Sequence, residues 1–172
     1  MRESEWSDGA EGSEWSEAGR GQPYGDRFAG LGIRIGAGLI DGLIQVAVLL
    51  PYLFTIDLDD AETVSTFDPV AIMIALGSVA VRGWLVAVYG GTPGKLLVGL
   101  KVTRSDGLTT PPGSEPAFKR AAVDLVGLVP GLGLLLSFGV GMMSLYYVAT
   151  DSERRSVYDR VGGTRVVHKQ YL

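Results

Sequence analysis

A chain of 172 residues has room for one soluble domain or for a few membrane spans, and 47% hydrophobic content with a mean hydropathy of +0.24 favours the second. The absence of cysteine excludes disulfides, thiol nucleophiles and thiolate metal sites, and a net charge of −4 is too small to point to nucleic acid. The apolar residues are blocked rather than spread, so the expected fold is an all-α membrane protein with three to four transmembrane or re-entrant helices and a small cytosolic β element.

Residues 1–25 repeat "SEWS" at 4–7 and 13–16 among Gly, Ser and acidic residues. Such a segment cannot bury a core, and it reads as a disordered acidic cytosolic tail. The sharper reading makes Trp6 and Trp15 paired anchors for a partner or the membrane surface. The basic start is not followed at once by an apolar stretch, so no cleavable signal peptide is expected and the first span acts as its own signal.

A transmembrane domain follows over residues 26–168. Its first span is expected at about 31–54, and the connector after it carries Asp57, Asp59, Asp60, Glu62 and Asp68 without Lys or Arg. The second span is expected at about 69–89. The next connector carries Lys95, Lys101, Arg104, Lys119 and Arg120. Because cytosolic flanks of spans are enriched in Lys and Arg, the first connector is expected outside, and the second connector and the N-terminus in the cytosol. The protein is thus expected as a multi-pass protein of the plasma membrane.

The third apolar stretch, 121–149, breaks this count. A single crossing would put the basic tail "DSERRSVYDRVGGTRVVHKQ" outside, against the charge rule. Two features favour a helical hairpin or re-entrant segment over a single kinked span. "VPGLG" at 129–133 interrupts the stretch with a proline and two glycines, which suits a bend between two shorter helices. In addition, the strand-like "LLVGLKVT" before the turn signal "RSDG" and the "GTRVV" of the tail can pair only from the same side.

Charges within the spans mark candidate sites. Arg34 and Asp41 stand seven residues apart, on nearly one helix face and about 10 Å apart along the axis. Gly38 and Gln45 extend this stripe, which should face protein or a water-filled cleft rather than lipid. A central aspartate costs about 2.5–3.5 kcal/mol on insertion, and the roughly eleven Leu, Ile, Val and Phe residues between 35 and 54 return about 3–7 kcal/mol, so the span still inserts. Asp41 lies about 9 Å from the cytosolic end of its span and Arg82 about 10 Å from that of the second, which makes them a candidate pair. Asp124 is the candidate partner of Arg34. Glycines four apart in "GIRIG", "GLIDG" and "GLVPG" are candidate points of close helix approach.

Other motifs do not carry chemistry. "GGTPGK" at 90–95 lacks the first glycine of a phosphate loop and the Ser or Thr after the lysine. His168 lies alone in a polar tail, and no Ser, His and Asp grouping offers a nucleophile. No enzyme activity and no cofactor are expected.

Taken together, "RIGAGLID", "GGTPGKLLVGLKVTRSDG" and "RRSVYDRVGGTRVV" resemble the RDD family of prokaryotic integral membrane proteins, named for one arginine and two aspartates. The resemblance covers about 26–168. It places the signature arginine on Arg34 and the first aspartate on Asp41, and it places the family's loop motif on Thr92, Pro93, Gly94 and Lys95. Asp159 is the choice for the second aspartate, with Asp151 and Asp124 as rivals. The resemblance implies transport of a ligand, with cation/proton antiport attributed to some members. Two functions follow from the sequence. In one, Asp41, Gln45 and Arg34 line a polar path and Asp41 binds a proton or cation. In the other, the charges fix helix packing in an accessory or scaffold subunit. Few spans make a transport path alone, so the expected partners are the lipid bilayer and a second copy or another membrane protein, with no nucleic acid.

Overall fold

The computed structural model describes residues 27–54, 69–106, 109–129 and 131–172. The expectations for the N-terminal tail, the acidic connector and Pro130 lie outside the described residues. Helices dominate: α1 is Leu31–Leu53, α2 Pro69–Tyr89, α3 Pro93–Leu97, α4 Ser114–Ala121, α5 Gly133–Thr150 and α6 Val157–Gly162. Two strands, β1 (Leu100–Arg104) and β2 (Thr164–His168), a 3-10 segment, Ala122–Leu128, and a short 3-10 turn, Lys169–Tyr171, complete the named elements of the described residues.

Three stretches, Leu31–Tyr52, Pro69–Leu97 and Gly133–Thr150, are long and apolar enough to cross a membrane. Their burial is inverted relative to a soluble protein. Leu39, Leu43 and Met73 on the outer faces of α1 and α2, and Leu134 and Leu135 on α5, are exposed, whereas Arg120 and Asp159 are buried. A contiguous apolar surface of this extent is unfavourable in water and is what hydrocarbon solvates.

The apolar core sits instead at one end of the helices, around the strands. β1 and β2 pair antiparallel, with Val102 opposite Val166 and Leu100 opposite His168. A lone two-stranded ribbon is marginal, and here both of its edges are tied down. Phe28 bridges Val167 on one side, and Ala29 N–H donates to the Val166 carbonyl at 3.0 Å. On the other side Val102 N–H donates to the Gly90 carbonyl at 2.7 Å, directly after α2. The ribbon therefore gathers the start of α1, the end of α2 and, through α6, the end of α5.

Where a hairpin or re-entrant segment was expected at 121–149, the residues before α5 are not a short α-helix. They form the 3-10 segment continuing α4, and the chain doubles back so that Gly127 lies against Gly133 and Ser137. Backbone is too close there for any side chain at position 133. The glycine pairs of α1 behave differently from expectation. A Cβ at Gly32, Gly36, Gly38 or Gly42 would meet nothing within 4 Å, so these glycines leave space rather than bring helices together. The close approaches lie elsewhere: Gly83 of α2 admits the Phe118 ring of α4, and Gly94 of α3 rests on the α1 backbone at Ala37 and Asp41.

Candidate functional site: a charged cavity at the strand end of the helices

Asp159 is the most deeply placed charge. Ser156 caps α6, and its hydroxyl accepts from the Asp159 N–H at 3.2 Å. The Asp159 carboxylate accepts in return from the Ser156 N–H at 3.0 Å and from the Ser156 hydroxyl at 2.9 Å, a reciprocal cap that fixes the side chain. Into this carboxylate run Arg34 of α1, at 2.6 Å, and Arg120 of α4. Arg120 also donates to the Thr164 hydroxyl at 2.9 Å, and Arg34 Nε donates to the Ala29 carbonyl at 3.0 Å. Burial alone would raise the Asp159 pKa, but Arg120, Arg34 and the Ser156 N–H hold it well below the usual carboxylate range.

Asp41 meets α3 rather than an arginine. Thr92 donates its hydroxyl to Asp41 Oδ2 at 2.5 Å, and Gly94 donates its N–H to Oδ1 at 2.7 Å. Thr92 precedes α3 and Pro93 opens it, a position where the missing proline N–H costs nothing. Asp41 thus satisfies a donor at the start of a five-residue helix that has no side-chain cap of its own. The loop motif Thr92, Pro93, Gly94 and Lys95 is the element that closes on the first span.

Arg82 pairs with Asp124 at 3.2 Å and donates to Gln45 Oε1 at 3.4 Å, and Gln45 donates to the Ser78 hydroxyl at 3.0 Å. Tyr158 hydrogen-bonds to Asp124, and burial with that carboxylate pushes its hydroxyl up to about 12, so it stays protonated as a donor. Both pairings expected from depth are therefore corrected. Asp41 goes to α3 and Arg82 to Asp124, while Arg34 goes to Asp159. Equal depth in two helices places side chains at one level but does not decide which faces meet.

These groups line one cavity of about 380 Å³. Arg34, Asp41, Arg82, Thr92, Lys95 and Asp124 all reach its wall, together with Arg120, Ser144 and Tyr158, which the sequence reading did not single out as site residues. Gly38 and Gly42 line it too, so the glycines of α1 provide its volume. A readable signal for the α6 part existed in "SVYD", a Ser-x-x-Asp cap. Arg120 had none, because its role depends on α4 packing against α6. Among the described residues, no three His, Cys, Asp or Glu side chains group as metal ligands.

The RDD family profile matches residues 28–163, which include all of these groups except Thr164. The chain belongs to the RDD family. No curated protein and no solved structure matches it. In this RDD chain the arginine and aspartate of the first helix have separate partners: Arg34 is tied to α6 and Asp41 to α3.

Proposed function

We propose that this RDD protein is a non-enzymatic multi-pass protein of the plasma membrane that binds an ion or small ligand in the charged cavity and acts in its transport. Its N- and C-termini lie in the cytosol, as the basic flanks of the helices indicate. The observation that carries this reading is the shared cavity, where charged side chains from α1, α2, α3 and α4, several of them ion-paired, line a volume of about 380 Å³. Charged groups inside a membrane domain are costly, and a wet, ligand-sized space is what they commonly serve. We take Asp159 as the second signature aspartate, because it is the carboxylate that receives Arg34. A path through so few helices is completed by a second copy of the chain.

Reconstitution tests the reading: purified protein in liposomes is assayed for proton-coupled cation flux, with Asp41→Asn as the comparison. Flux that the substitution abolishes supports transport; absent flux, or flux indifferent to the substitution, removes it. One observation favours the accessory reading. Asp41, Asp124 and Asp159 each already hold a protein partner, as expected of charges that fix packing. If Asp41→Asn leaves flux absent in both proteins while a membrane partner co-purifies with each, the accessory role stands.

A further inference from the structure

The cavity has more cation than its carboxylates use. Arg34, Arg82, Lys95 and Arg120 reach its wall, against Asp41 and Asp124 on the wall and Asp159 behind it. The carboxylates are also committed, Asp41 to Thr92 and Gly94, Asp124 to Arg82, and Asp159 to two arginines. None of the ion pairs among the described residues includes Lys95. Two residues of the wall each carry a buried polar atom without a hydrogen-bond partner, Nη2 of Arg34 and the hydroxyl of Ser144, whose residue is only 9% exposed. Buried donors left unmade are unfavourable, and a ligand with acceptor oxygens is what such donors take.

A second space adjoins the first. A groove of about 410 Å³ between α1 and α2 shares Asp41, Arg82 and Thr92 with the cavity and continues along Ile44, Val48, Ile74 and Val81. It runs away from the strand end, Val48 lying about 10 Å beyond Asp41 along α1. Its wall is mainly aliphatic, and Gly77 leaves it open, since a Cβ there would meet nothing within 4 Å. A cationic chamber at the helix ends that opens into an apolar groove toward the helix middles has the polarity profile of one lipid molecule in one leaflet.

We propose that the cavity holds the phosphate headgroup of an anionic lipid and that the α1–α2 groove holds its acyl chain. This rests on the reading of the cavity as a ligand site and names its ligand class. Arg34 Nη2, Lys95 and the Ser144 hydroxyl supply the donors, and Arg82 stands where headgroup and chain join.

The test uses full-length protein, delipidated in a neutral detergent, and reads bound lipid by native mass spectrometry and the melting temperature. Phosphatidylglycerol is expected to bind and raise the melting temperature, and phosphatidylcholine of the same chains and inorganic phosphate are expected not to. Lys95→Gln removes an amine that no ion pair among the described residues holds, and Gly77→Leu fills the groove; each is expected to weaken phosphatidylglycerol binding about tenfold with folding intact. Equal protection by inorganic phosphate, with Gly77→Leu silent, makes the ligand a free anion and overturns the lipid assignment. Equal binding of phosphatidylcholine, or indifference to both substitutions, reduces the lipid to a non-specific annulus and overturns it as well. Loss of lipid binding with cation flux intact refutes this proposal alone, whereas lipid binding without flux refutes transport alone.

Discussion

Asp159 joins three elements through one carboxylate, receiving Arg34 from 125 residues away and Arg120 from 39. Removing its charge leaves two buried guanidiniums without a counter-ion, so Asp159→Asn is expected to cost about 3–5 kcal/mol in reversible denaturation from detergent. Its lowered pKa also sets a pH limb. Because the folded pKa lies below the unfolded value of about 3.9, the stabilisation is complete above that value and is lost as pH falls below it. The melting temperature of the native protein should therefore be level from neutral pH to about 5 and then decline, and Asp159→Asn should flatten that decline. Asp41 calls for a paired comparison. Asp41→Ala frees the Thr92 hydroxyl and the Gly94 N–H and should cost about 1–3 kcal/mol. Asp41→Asn keeps an acceptor for Gly94 and should cost less; a variant that is stable yet inactive in flux would assign Asp41 to transport rather than to packing.

Among the elements, the decisive glycines are those where backbones touch. Gly94→Ala would push α3 off α1, and Gly133→Ala would open the turn between the 3-10 segment and α5, each for about 1–3 kcal/mol. Gly36→Ala meets only open space and should change stability by no more than about 0.5 kcal/mol. Melting curves of the three variants separate these cases, and a Gly36→Ala loss as large as that of Gly94→Ala would contradict the packing described here. The "GxxxG" spacing could not tell these glycines apart, since a spacing of four describes one helix and says nothing of what lies opposite. Gly42 illustrates this: it lines the cavity, yet it directly follows Asp41, where the α3 contact lies.

For the whole molecule, pairing of β1 with β2 and bridging of Phe28 to Val167 put the start of α1, the end of α2 and the end of α5 at one end. Single cysteines at Ser105 and Lys169, in the natural cysteine-free background, should label from the same face of the membrane, and one at Asp59 from the opposite face. Labelling of Lys169 together with Asp59 would refute the hairpin. The excess of Lys and Arg at the strand end is the ground for proposing that end as the cytosolic one.

The spans were legible residue by residue. The expected 31–54 and 69–89 correspond to α1 at Leu31–Leu53 and α2 at Pro69–Tyr89, because transfer into hydrocarbon is a sum over consecutive side chains and needs no neighbour to define it. The two strands were legible for a similarly local reason, through the turn residues that flank them. The partners of Arg34, Asp41 and Arg82 were not. Pairing depends on the rotation of each helix about its axis and on the docking of α3, α4 and α6, short polar elements whose positions are set by contacts with residues far away in the chain. Hydropathy and charge thus determined which segments enter the membrane, and tertiary packing decided which charges meet and left the space between them.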